Sequence, residues 1–235
     1  MKMDLSPAAW HWRAEADSLR SLFAGGRSGL WFDPAQQSAL RQDAAGTLPV
    51  TAPGQPVGLI LDLGGGGNHA AQALSDARPL WQRDASGRAY LLFDGVNDRM
   101  TVNAFPLGAA GRTVISVIRK AGDSTLGAVV EHRPQWTTPG GIAQFAPGGN
   151  GAATYGTRAH SSTAQSLLTS PASFPAPHTA VLTSLAATGT HVMRVNGVQV
   201  AAETPPGVMT ALNAGLMIGA RDGAGLFAGM RLYGL

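Results

Sequence analysis

The sequence has no cysteine, which excludes disulfides, thiol catalysis, iron–sulfur clusters and cysteine-ligated zinc. Charge is scarce: 13% of the 235 residues are Asp, Glu, Lys or Arg, against roughly 25% in an average soluble domain. Disorder driven by charge repulsion is therefore disfavoured, and the net charge of +3 is small for this length. Long hydrophobic runs are missing, since no window approaches the roughly 18 consecutive apolar residues of a membrane span. His11, Arg13, Glu15, Asp17 and Arg20 break up the first turns of chain where a signal peptide needs an apolar core. The expectation is a soluble, unprocessed chain with no membrane insertion, which leaves a cell only by lysis or within a larger assembly. Glutamate is almost absent, with only Glu15, Glu131 and Glu203. Glycoside hydrolysis needs two carboxylates about 5–5.5 Å or about 6.5–9.5 Å apart, so Glu131 with an Asp from another strand is the pairing left for it.

What is plentiful is glycine and proline, 31 and 15 residues without a regular period, which excludes collagen and argues against a helical bundle. The segment from Ser6 to Gly26 reads as one helix, with Ser6 as cap, Pro7 in the first turn and Gly25–Gly26 as the stop. Its apolar face combines Ala9, Trp12, Ala16, Leu19 and Phe23. Residues 1–28 thus form a leading element that either packs on its own domain or docks on another subunit. From Gly29 onward the chain becomes a series of short apolar runs separated by turn formers, among them "VGLILD" (57–62), "AYLLFDG", "RMTVNAF", "RTVISVIRK", "AATYG" (152–156), "TAVLTSLAA" and "THVMRVNG". Many alternate in polarity: in "TVISVIRK", Ile115, Val117 and Arg119 face opposite to Val114, Ser116 and Ile118. Asn196–Gly197 in "RVNGVQV" is a type I′ hairpin signal. About a dozen strands without helical crossovers imply antiparallel sheets packed face to face. The fold class is all-β, a two-sheet antiparallel jelly-roll-like sandwich over residues 29–235, preceded by the helix. Residues 134–177 read as extended loops around two or three weak strands, the kind of segment that carries recognition.

The six histidines show no metal-binding spacing, and Gly64–Gly67 is followed by Asn68–His69 where a phosphate loop needs Lys and Ser or Thr. No G-x-S-x-G elbow supports a serine nucleophile. Asp62 with Asn68, and Asp94 with Asn97 and Asp98, bring oxygen ligands into turns, where calcium is the cofactor they would admit. The competing and stronger reading is that these side chains cap their own turns. Arg78, Arg83, Arg88 and Arg99 are interleaved with Asp76, Asp84, Asp94 and Asp98, a pattern of surface pairing that argues against nucleic-acid binding.

The ordered set "GLWFDP…VGLILDLGGGGNHAAQ", "RPLWQRDASGRAYLLFDGVNDRMTV", "RVNGVQV" and "GLMIGARDGAGLFAGMRLYGL" resembles the concanavalin A-like, laminin-G-type lectin/glucanase module of tailed-phage and prophage virion proteins. The resemblance runs from Gly29 to Leu235. It implies a sandwich in which the Asp94–Gly95 turn joins two strands, the Asn-Gly hairpin comes late, and Phe227, Gly229, Arg231 and Tyr233 belong to the last strand. The resembling turn "D-x-SG-x-GNH" stands here as Asp62 to His69 with glycine in place of serine. The "E-x-D-x-x-E" strand of the catalytic glucanases does not occur.

These readings favour a non-enzymatic phage virion structural protein, in the tail, on the baseplate or associated with the capsid, and assembled in the host bacterial cytoplasm. Its partners would be other virion proteins, as a homo-oligomer or assembly subunit, docked through Trp10, Trp12, Leu19, Phe23 and Trp31. The alternative is a module that recognises a bacterial surface glycan. Trp136, Phe145 and Tyr155 would then cover sugar C–H surfaces while Asn150 and Arg158 fix orientation; against this stands the reading in which the rings fill the core. A glycan hydrolase is the third reading.

Overall fold

The computed structural model describes residues 19–132, 135, 137–221 and 225–235. Strands numbered in chain order fall into two wholly antiparallel sheets. The nine-stranded sheet runs β1 (Leu40–Arg41), β2 (Leu59–Ile60), β3 (Ala70–Ala71), β6 (Met100–Leu107), β15 (Leu212–Ile218), β8 (Ala128–His132), β9 (Ile142–Phe145), β10 (Gly156–His160), β11 (Gln165–Thr169). The seven-stranded sheet runs β14 (Val198–Glu203), β13 (Thr190–Val195), β12 (His178–Ala187), β7 (Arg112–Lys120), β16 (Gly229–Gly234), β5 (Ala89–Asp94), β4 (Leu80–Arg83). This is the all-β, two-sheet antiparallel, jelly-roll-like sandwich expected from the strand pattern. Helical structure among the described residues is confined to residues 19–21 and three short 3₁₀ turns. The segment 1–18, with the docking candidates Trp10 and Trp12, lies outside the described residues.

The alternation in β7 holds: Ser116, Ile118 and Lys120 face inward, and Ile115 and Arg119 outward. Inward side chains of both sheets share one core, with Leu91, Phe93, Ile118, Leu182, Met230 and Leu232 meeting Met100, Val102, Val130 and Ile218. Asn196 (φ 53°) and Gly197 (φ 81°) form the two-residue turn between Val195 and Val198, as their sequence predicts. Stretches 57–62 and 152–156 differ from expectation. Only Leu59–Ile60 pairs in the first. In the second the strand begins at Gly156, because Tyr155 closes a loop through its backbone N–H to Ser170 Oγ. The middle stretch carries three strands, β9 to β11.

Part of the sheet interface is polar. Gln144 on β9 accepts from Ser116 Oγ at 2.6 Å and donates to Ser184 Oγ at 3.0 Å, joining the two sheets through fully buried side chains. Beside it, His191 contacts Ser166 and lies 3.4 Å from Thr157 Oγ1. Such satisfied polar links fix how one sheet sits on the other, because a slip leaves each of these groups buried and unpaired. Trp81 anchors the other end, its indole donating to Pro34 O at 2.9 Å. Phe32 and Leu235 exchange backbone hydrogen bonds of 2.7 and 3.0 Å.

Candidate functional site

Strands β8, β9 and β10 set Glu131, Ala143 and Arg158 in one cross-strand row, continued by Leu167 on β11. This row lies on the outer face of the nine-stranded sheet, since the residues one step along, such as Val130 and Gln144, point into the sandwich. Phe145 shares the row's face, opposite Gly156 and Ala128. These small neighbours leave room for its ring, and the diagonal neighbour Arg158 reaches over it. The Arg158 guanidinium carbon stands 5.5 Å from the ring centroid, and that of Arg221 stands 5.7 Å from the same centroid. Each contact is worth about 0.5–1 kcal/mol when partly exposed.

Arg221 comes from the chain after β15, where a backbone bridge to Gly225 closes a short loop. Its Nε donates to Glu131 Oε1 at 3.3 Å, a pair in which the carboxylate is buried and the guanidinium half-buried. Leu126 and Leu226 pack on Ala128, Ala143 and Phe145, forming a small apolar cluster on the outside of the sheet. Asn150 holds the rim by accepting the Leu126 N–H at 2.7 Å. The result is a floor of Phe145 carrying two guanidiniums, with Arg221 Nη2 buried and without a hydrogen-bond partner among the described residues and Leu167 exposed alongside. Guanidinium N–H groups over an apolar floor can hold hydroxyl, amide or carboxylate oxygens of a ligand in fixed directions.

Of the sequence candidates for sugar contact, Phe145, Arg158 and Asn150 therefore meet, and Trp136 lies outside the described residues. Phe145 is corrected in role: its ring is 1% exposed and supports the arginines instead of offering a free face. Tyr155 is corrected in place. It is fully buried behind the sheet, packed on Phe174 and His178, with Oη 2.8 Å from His178 Nδ1 and the Lys120 ammonium 5.0 Å from its ring centroid. Lys120 is itself buried and paired with Asp123. Sequence reasoning missed Arg221 and Leu167, and it considered Glu131 only as a partner for an Asp; the group beside Glu131 is a guanidinium. A pair separated by 90 residues leaves no local signal.

The two acidic turns lie at opposite ends of β6. Asn68, whose backbone N–H bonds Asp62, lines a groove of about 310 Å³ together with Phe105, Pro106, Phe23, Gly29 and Gly64–Gly66. Asp94, Asn97 and Asp98 lead into Met100 at the other end, about 20 Å away at 3.3 Å per residue. Asp62 Oδ1 accepts from the backbone N–H of Trp31 (2.9 Å) and Gly64 (2.8 Å), and Oδ2 from Asn68 (3.1 Å). Asn68 in turn donates to Gly29 O at 2.8 Å, and His69 Nδ1 accepts the Asp62 N–H at 2.9 Å. Asp94 Oδ1 accepts from Val96, Asn97 and Asp98, while Asp98 Oδ2 accepts the Asp94 N–H at 2.9 Å. Both clusters have the geometry of turn caps. Burial, reinforced by the Asp94 charge, pushes the Asp98 carboxyl up to about 6. Among the described residues no group of three or more His, Asp or Glu side chains converges as metal ligands would.

Of the remaining docking candidates, Phe23 and Trp31 make contacts within the chain. The Phe23 ring rests against Gly29 and Gly64, where a Cβ would come within 2.7 and 3.2 Å of it. Trp31 is tied to Asp62, and Leu19 is exposed.

No protein-family model and no curated protein sequence matches this chain. Similar solved structures are the mouse laminin alpha1 chain domains LG4-5, 10% identical over 60% of this chain and 39% of that one, with a TM-score of 0.48. A second is the Ruminococcus gnavus IT-sialidase CBM40 bound to alpha2,3 sialyllactose, 11% identical over 54% of this chain and 74% of that one, TM-score 0.45. A third is the carbohydrate binding module CBM66 from Bacillus subtilis, 13% identical over 66% and 88%, TM-score 0.41. At such identities the likeness concerns the fold.

Proposed function

We propose that this chain is a non-catalytic carbohydrate-binding module that receives its glycan on the outer face of the nine-stranded sheet. The observation that carries this reading is the pair of guanidiniums, Arg158 and Arg221, layered on Phe145 beside the exposed side chain of Leu167. A sugar can lay a C–H face on Leu167 and offer its oxygens to the two arginines, the mixture of apolar surface and few directed polar groups that ligand sites use. Glu131 serves this site by orienting Arg221. The sequence resemblance to tailed-phage virion proteins would make the ligand a bacterial surface polysaccharide and the neighbours other virion proteins.

The test is a glycan array probed with the full chain. Binding of a defined set of glycans is expected, weakened at least tenfold by Arg158→Ala or Arg221→Ala with the fold retained by circular dichroism. Binding should survive EDTA, because the Asp62 and Asp94 carboxylates are engaged by backbone N–H groups. An array without signal, or signal indifferent to both substitutions, overturns the reading. Release of reducing ends from a bound polysaccharide would overturn its non-catalytic part.

A further inference from the structure

The opposite side of the sandwich presents a second surface that the glycan site does not use. On the outer face of the seven-stranded sheet, Arg119 of β7 stands directly across from Arg231 of β16. Like charges in directly opposed positions of adjacent strands destabilise a sheet, and no carboxylate pairs with either side chain among the described residues. Arg231 is held upright by Tyr90, whose ring centroid is 4.8 Å from its guanidinium carbon. Tyr233 packs against Tyr90 in a tilted arrangement, ring centroids 5.4 Å apart. A third arginine, Arg194 of β13, shares this face through the row Arg194, Thr183, Ile115. Two strand spacings and four residues along β7 put it about 16 Å from Arg119. Two carboxylates lie near this face among the described residues, and both are engaged elsewhere: Asp94 Oδ1 is turned into the β5–β6 turn to accept three backbone N–H groups, and Asp84 pairs with Arg88 at 2.9 Å and accepts the Tyr233 hydroxyl at 3.3 Å.

We infer that this face binds an anionic polysaccharide, a chain bearing carboxylate or sulfate groups, with one anionic group clamped between Arg119 and Arg231 and another at Arg194. Charge complementarity carries the assignment: two opposed guanidiniums without a counter-charge are relieved by a shared anion. The span to Arg194 suits an extended ligand with repeating charge, where a single small anion would reach one end only. Between the charges the face offers Thr179 and Thr183 hydroxyls and the β-branched side chains of Val117 and Val181, which match the hydroxyls and C–H surfaces of sugars. Nucleic acid is disfavoured because the two tyrosine rings are covered by Arg231 and Arg88 and offer no platform for bases. A second copy packed two-fold on this face would set arginine against arginine.

The full chain should bind dextran sulfate or alginate, and not neutral dextran, in titration calorimetry, with affinity falling as salt rises. The double variant Arg119→Thr/Arg231→Thr should lose at least tenfold in affinity and most of the salt dependence, while its melting temperature does not fall. Arg158→Ala should leave polyanion binding unchanged, which separates this surface from the glycan site: array binding can fail while this binding persists, and the reverse. Binding unaltered in the double variant overturns the inference, as does loss through Arg158→Ala. Equal binding of neutral dextran, tighter binding of poly-glutamate or duplex DNA, or self-association abolished by the double variant would also overturn it. If the double variant does not fold, Arg194→Thr alone should weaken binding severalfold, and no change there counts against the inference.

Discussion

Single residues carry the strongest constraints where charge meets burial. Glu131 is 1% exposed and faces Arg221, so Glu131→Ala strands a half-buried guanidinium over Phe145. Truncating one partner of a buried pair costs about 3–5 kcal/mol; the partial exposure of Arg221 puts the expected loss at about 3 kcal/mol, read from urea denaturation. His132 and His191 are both held down to about 4 by burial; at His132 the nearby Arg112 charge adds to this and the Ala214 carbonyl opposes it. Each remains neutral in the fold but gains a proton near 6.5 when unfolded. Their contribution is therefore complete above about pH 6.5 and is lost as pH falls toward 4. Asp98 has the opposite sign: its raised carboxyl favours the fold below the unfolded value of 3.8, and that contribution disappears as pH rises through about 6. Two histidines outweigh one aspartate, so stability should fall by about 2–3 kcal/mol from pH 7.5 to 5. Comparing urea midpoints at the two pH values checks this, and His191→Gln should reduce the difference.

At the scale of elements, strands and turns follow from local chemistry while their partners do not. The β13–β14 hairpin is readable because Asn196 and Gly197 tolerate the positive φ that its turn demands. Gly197→Ala should cost about 1 kcal/mol, measurable as a lower melting temperature with unchanged spectra. Strand β7 is readable from its alternation, and its observed limits, Arg112–Lys120, coincide with the run "RTVISVIRK". The two-residue strands β1 and β3 are not, since so short a run carries no periodicity and exists only through its neighbours, β3 pairing with β6 and β2, and β1 with β2. Buried Lys120, Gln144 and His191 also defy the pattern of apolar side chains inward. Their partners, Asp123, Ser116 with Ser184, and Ser166, make burial tolerable.

Across the whole molecule, the two sheets share one apolar core and are joined by the Ser116–Gln144–Ser184 link. Unfolding should consequently be a single cooperative transition, with tryptophan fluorescence and far-ultraviolet dichroism reporting the same midpoint. Separate transitions would mean that the sheets melt independently. The sequence by itself determined the all-β class, the antiparallel sandwich, the late hairpin and the capping roles of Asp62 and Asp94, because these depend on periodicity and on turn residues bonding their own neighbours. Only the tertiary structure decided that Arg221 meets Glu131 above Phe145, that Tyr155 turns inward, and that Arg119 stands across from Arg231. Those contacts arise from the order and register of strands far apart in the chain, and a one-residue change of register would move each of these side chains to the other face of its sheet.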